Sequence, residues 1–166
     1  MKVALVYDRV NKIGGAERVL LALHEIWSEA PLFTSVYDLE GAPWAKVFPQ
    51  VTPSFLQKFP LAKKHHEAYA WLMPLAFESF RFDGYDLVIS VTSEAAKGII
   101  TKPQTTHLCY CLTPTRYLWQ SYEDYFQNEV FRNLSQPLVE YLRNWDKIAS
   151  QRPDFMVAIS KNVAKR

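Results

Sequence analysis

At 166 residues, 49% of them hydrophobic and 22% charged, the sequence has the composition of one soluble globular domain and is long enough to bury a core. A net charge of +2, with basic residues interleaved among acids, argues against a nucleic-acid partner. The two cysteines, Cys109 and Cys111, are too close along a strand for an unstrained disulfide, and no second pair or histidine cluster completes a metal site. Both are expected to be reduced and buried, as in a cytoplasmic protein. Met1–Asp8 reads as a strand rather than a signal peptide, and no apolar run approaches the roughly 18 residues that would span a bilayer.

Residues 2–7 (KVALVY) predict a strand buried on both faces. A polar loop from Asp8 to Gly15 leads into an amphipathic helix over 16–29, with Val19, Leu20, Leu23, Ile26 and Trp27 at helical spacing. Beyond Pro31, residues 32–37 predict a second strand, and 46–51, between Pro43 and Pro53, a third. Two helices are expected over 61–73 and 75–81, meeting near Pro74. After the Asp83-Gly84 turn signal, 86–91 (DLVISV) predict a buried strand, followed by a short helix over 93–98 with Ser93 as N-cap and Gly98 as stop. A strand over 106–111 ends at Thr113-Pro114. A long helix over 129–150 places Val130, Leu134, Leu138, Leu142 and Trp145 on one face, and a core strand over 155–159 precedes a helix capped by Ser160. The alternation predicts an α/β class, a Rossmann-like parallel sheet with helices on both faces. A helix only begun at Arg166, with no stop signal, is expected to continue into a longer protein.

Ligands of open parallel sheets bind at the carboxyl ends of the strands. Those ends carry Asp8–Gly15, Val91–Glu94, Cys111–Arg116 and Ser160–Asn162. Gly14-Gly15 lets a ligand approach the backbone at a helix N-terminus, though a tight turn explains the pair equally well, and it is neither GxGxxG nor a P-loop. Glu17 offsets the helix dipole or faces the cleft. Ser93, Glu94 and Lys97 mark another helix start, with Lys97 otherwise a solvent-facing residue. Arg116, Tyr117 and Trp119 suit a phosphate or a sugar, or form a packing corner with Arg116 tied to Glu123 or Asp124. His107 reads as a core histidine, and His65 and His66 as surface.

The segments KVALVYDRVNKIGGAERVL, GYDLVISVTSEAAKGI, HLCYCLTPTRYLW and DFMVAISKNVAKR, in this order, resemble the N-terminal half of a family 4 (group 1) glycosyltransferase, nearest in type to bacterial mannosyltransferases that build polysaccharides on lipid-linked acceptors. The resemblance implies the N-terminal, acceptor-side lobe of a GT-B fold, with the donor-binding lobe absent from this chain. It implies transfer of a sugar from a nucleotide-sugar to a saccharide or lipid-linked acceptor, with retention and no required metal or other cofactor, and an isolated lobe that is inactive. By position, Gly14, Gly15, Glu17, Ser93, Glu94 and Lys97 would line the donor cleft, while Asp8, Arg116, Tyr117 and Trp119 would lie on the acceptor side. Two positions depart from the family pattern: Leu112 stands where many relatives have His or Tyr, and Gln120 where an Asp is common. Both leave the acceptor open.

Within 54–82, Phe55, Leu56, Phe59, Leu61, Trp71 and Leu72 stand beside Lys58, Lys63 and Lys64. They form either a peripheral contact with the inner face of a membrane or packing against the sheet. Two other functions share these features: a non-catalytic Rossmann-like regulatory domain, for which Asp8 alone does not supply the clustered acids of a phosphoacceptor, and a GT-B epimerase or phosphorylase.

Overall fold

The structure, a computed structural model, describes residues 1–119 and 129–166, the side chains of 129–131 excepted. Six strands form one sheet in the order β3-β2-β1-β4-β5-β6. They are β1 (Val3–Tyr7), β2 (Leu32–Thr34), β3 (Val51–Pro53), β4 (Leu87–Thr92), β5 (Thr106–Cys111) and β6 (Phe155–Ala158). Every pairing is parallel. This is the doubly wound, Rossmann-like order, and the chain reverses its direction of winding between β1 and β4.

β1 sits at the centre because all five of its residues can be buried, and all five are. Leu5 is flanked in register by Leu32 of β2 and Ile89 of β4. Such a strand needs cover on both faces. One face carries Val3, Leu5, Tyr7, Leu32 and Ile89 beneath Leu20 of helix α1 (Gly15–Ile26) and Ala45 of a 3₁₀ turn, Pro43–Val47. The other carries Ala4, Val6 and Val88 beneath Phe77 of α2 (Met73–Glu78) and an edge-to-face aromatic group of Phe33, Phe80 and Phe82. Helix α3 (Glu129–Ala149) extends that second layer, with Trp145 packed against it.

Several predicted elements are corrected. Of residues 46–51 only Val51 is in a strand: Pro43 starts a 3₁₀ turn instead, and β3 begins at Val51 and runs through Pro53, which an edge strand tolerates. The helix expected over 61–73 is a turn followed by a 3₁₀ helix, His66–Leu72, and α2 then opens with Pro74 in its first turn. The short helix over 93–98 shrinks to a 3₁₀ turn at Ala96–Gly98, and Ser93 does not cap it. β6 is an edge strand rather than a core strand, with Phe155, Met156 and Val157 all exposed. In α3 the buried face is Val139, Leu142, Asp146 and Ala149, whereas Leu134 and Leu138 are exposed; Val130 lies outside the described side chains. The last helix, α4 (Lys161–Ala164), is capped by Ser160 as expected, its hydroxyl accepting from the Val163 N–H at 3.2 Å.

Candidate functional site at the carboxyl edge of the sheet

The reversal between β1 and β4 opens the crevice where doubly wound sheets take their ligands. Here Asp8, the residue after β1, fills it. Its buried carboxylate accepts from Thr92 Oγ1 at 2.8 Å and from the backbone N–H groups of Ser93 at 2.7 Å, Glu94 at 3.1 Å and Ala96 at 2.8 Å. Asp8 thus supplies from across the sheet the cap expected of Ser93, whose own N–H is one of the donors.

With that floor occupied, the accessible chemistry lies one step outward. Arg9 Nη1 meets Glu94 Oε1 at 2.5 Å, a pair about one-fifth exposed on either side. Burial opposes the charge on Arg9, but Glu94 and Asp8 outweigh it and its pKa is raised. Burial, with Asp8 behind it, pushes the Glu94 carboxyl up against the opposing pull of Arg9. Burial, then Glu94 and Asp8, likewise raises the Tyr117 phenol. Arg9, Ser93, Glu94, Leu112, Thr113, Arg116 and Tyr117 together wall a pocket of about 290 Å³. Arg116 is exposed; its expected partners Glu123 and Asp124, like Gln120, lie outside the described residues. Two arginines, a carboxyl and a phenol in so small a space can hold a hydroxylated or anionic ligand.

Trp119 and Lys97 belong to a neighbouring cleft of about 530 Å³, which also includes Cys111, Thr113, Asp146, Met156 and Val163. Lys97 is buried rather than solvent-facing. Its ammonium donates to Glu94 O at 2.5 Å, Asp146 Oδ1 at 2.7 Å and Thr115 Oγ1 at 3.3 Å. Trp119 Nε1 donates to Asp146 Oδ2 at 2.9 Å, and the Arg143 and Lys147 cations lie 5.6 and 5.5 Å from its ring. All three Lys97 donors are thereby used, so this residue shapes the wall and holds the 93–98 turn against α3. A larger space of about 620 Å³ opens at the opposite edge of the sheet, around Met1, Trp27 and Tyr85. It lies at the amino ends of the strands, away from the convergent side chains.

No family model matches this chain, and no curated protein or solved structure shows significant similarity to it. Function therefore rests on the site and on the order of its motifs.

Of the expected donor-side residues, Gly14 and Gly15 are exposed at the start of α1, and neither borders these two clefts. Gly14 has extended backbone that any residue adopts, and Glu17 Oε2 would lie 3.1 Å from a Cβ there. Around Gly15 a Cβ would meet nothing within 4 Å, so the approach is open. Glu17 turns inward, buried and accepting from Tyr7 Oη at 2.9 Å. The structure thus joins Ser93, Glu94, Arg116 and Tyr117 over Asp8, places Lys97 and Trp119 in the adjoining cleft with Lys97 reaching the Glu94 carbonyl, and leaves the glycine loop apart.

Three residues that the sequence did not single out complete the picture: Arg9, Thr113 and Asp146. Arg9 directly follows a strand end, the one signal that could have marked it. His66 is buried, not superficial, and its Nδ1 lies 3.3 Å from Asn11 Nδ2. His107 is wholly buried, with Nε2 2.8 Å from Ser90 Oγ. Burial depresses the pKa of each histidine to about 4. Cys109 is buried and its thiol pushed up to about 12 by that burial, while Cys111 is only partly buried; both are free. Among the described residues no group of three His, Cys, Asp or Glu gathers to hold a metal ion, and no helix is long and apolar enough to cross a membrane.

Proposed function

We propose that this chain is the acceptor-side lobe of a two-lobed retaining glycosyltransferase, which moves a sugar, with mannose the first candidate, from a nucleotide-sugar to a saccharide or lipid-linked acceptor in the cytoplasm. The observation that carries the reading is the pocket over Asp8. Three of the four segments that resemble the glycosyltransferase family meet there, contributing Arg9, Ser93 with Glu94, and Arg116 with Tyr117. Glu94 accepts an acceptor hydroxyl, Arg9 fixes that carboxyl, and Arg116 with Tyr117 borders the sugar ring. The nucleotide-sugar binds mainly to the second lobe and touches this one through the open glycine loop.

Two measurements test the reading together. Isothermal titration of nucleotide-sugars into this chain should give no tight binding, and sub-micromolar affinity would contradict the division between lobes. The full-length protein should transfer labelled sugar from a nucleotide-sugar into a membrane extract, with the rate falling at least about tenfold in Arg116→Gln, the cost of one charge-assisted hydrogen bond. No transfer from any nucleotide-sugar would remove the proposal.

A peripheral membrane contact belongs to the same reading. Leu56 is buried, and Phe55 and Leu72 pack against the core, so those three expected contributors are withdrawn from the surface. Phe59, Leu61, Trp71 and Leu75 are exposed, and so are Lys58, Lys63 and Lys64. Exposed apolar side chains among lysines suit an anionic bilayer surface.

A further inference from the structure

We propose that the pocket between Arg9 and Arg116 binds a phosphate group carried on a sugar-sized body. Three independent features of the pocket wall point to it. Thr113 is only 8% exposed, yet its hydroxyl has no hydrogen-bond partner among the described residues. The Arg9 Nε–H is buried and equally without a partner, because Glu94 engages the guanidinium through Nη1. Arg116 is exposed and makes no ion pair among the described residues. Buried polar groups are nearly always satisfied, so these two, on residues that line one pocket, are donors that a small turn of the side chain would offer to a ligand there.

The chemistry selects phosphate. Arg9 follows β1 and Arg116 follows β5, strands whose backbones lie about 10 Å apart at two spacings, and the side chains of both line the pocket from either side of the end of β4. A planar carboxylate is satisfied by one guanidinium fork. A tetrahedral phosphate presents three terminal oxygens in different directions, and so takes donors from both flanks and from Thr113, which this pocket shares with the neighbouring cleft. Glu94 is the carboxyl on the pocket wall and is paired with Arg9. The Asp8 carboxylate behind the wall is taken up by Thr92 and three backbone N–H groups, so Arg116 is the cation left to meet an anion. The phosphate fills a fraction of the roughly 290 Å³, and Ser93, Leu112 and Tyr117 border the remainder at the scale of one pyranose ring. That the phosphate is carried by the acceptor rests on the glycosyltransferase reading above; that the pocket binds it does not.

Binding is tested on this chain by titration calorimetry with glucose 1-phosphate, with glucose and glucuronate as controls, and by sedimentation with phosphatidylcholine vesicles with and without phosphatidic acid. Glucose 1-phosphate should bind, with glucose and glucuronate at least about tenfold weaker. Arg116→Gln should weaken it about tenfold, and Thr113→Val several-fold without lowering the unfolding midpoint. Because Arg9→Gln leaves Glu94 unpaired, the other two variants keep the test independent of folding. Vesicles that bind only with phosphatidic acid, and are released by glucose 1-phosphate, identify a lipid-borne phosphate at the same pocket; binding of the soluble ligand alone identifies a free sugar phosphate. Failure to bind either probe, or equal binding by Arg116→Gln, overturns the proposal. Phosphate binding without any sugar transfer by the full-length protein would remove the transferase reading and leave the site.

Discussion

Asp8 holds together two segments that lie more than eighty residues apart, and it does so with both carboxylate oxygens. In Asp8→Asn an amide group would face backbone donors where an oxygen now accepts, and the charge that strengthens those bonds would be gone. The expected loss is about 2–4 kcal/mol, read as a lower urea midpoint with an unchanged slope; a variant as stable as the parent would show that the four bonds contribute little. The position of Asp8 was legible in the sequence, since a polar residue directly after a buried strand lies at the ligand-binding edge. Its inward turn was not, because that depends on which strand pairs with β1. The same limit applies to Lys97 and Asp146: each looks like an ordinary surface helix residue until the fold brings them within 2.7 Å.

At the scale of elements, α3 docks where Gly98 leaves room. A Cβ on Gly98 would overlap the Trp145 indole, and Arg152 secures the same corner by donating to the Gly98 carbonyl and to Glu78. Gly98→Ala should therefore cost about 1–3 kcal/mol in chemical denaturation, and adding Trp145→Leu should recover part of that loss; additive losses would mean that the overlap is relieved elsewhere. The extent of α3 was legible within a residue, but its buried face was not. Leu134 and Leu138 sit on the apolar stripe and yet remain exposed, because α3 meets its partners through its later turns. The 54–82 excursion was legible in composition and obscure in form, since 3₁₀ turns carry no strong periodicity. At its tip Leu61 has φ 57°, a left-handed conformation that disfavours a side chain, and is 71% exposed. Leu61→Gly should raise stability by up to about 1 kcal/mol while weakening binding to anionic vesicles, as should Lys63→Glu with Lys64→Glu for binding alone. Vesicle binding unchanged in both variants would remove the membrane contact.

The whole molecule responds to acid through two histidines. His66 and His107 have folded pKa values near 4 because burial disfavours their charged forms, against about 6.5 in the unfolded chain. The unfolded state therefore binds protons first as pH falls. Stability is full above about pH 6.5 and declines towards pH 4, by up to about 3 kcal/mol for each histidine. Urea midpoints measured across this range should fall, and His107→Gln, which can still bond Ser90, should reduce the slope; a flat profile in the parent would show that neither histidine stays neutral in the fold. The parallel α/β class was legible because buried apolar runs alternate with a clear amphipathic helix. β3 was misplaced by a few residues, since prolines bound both the true strand and the preceding 3₁₀ turn.

The central place of β1 also bears on how the chain assembles. Of the six strands this one is synthesised first, yet its neighbour on one side arrives with Leu87 and the donors that Asp8 requires only with Thr92–Ala96. Until then the growing chain holds an apolar strand with one open edge and an aspartate still in water. Contacts this distant in sequence make folding slow, and they make the early chain prone to aggregate. A ribosome stalled before Ala96 would display a nascent chain for a chaperone rather than a folded half-sheet, and resistance to protease should appear in one late step.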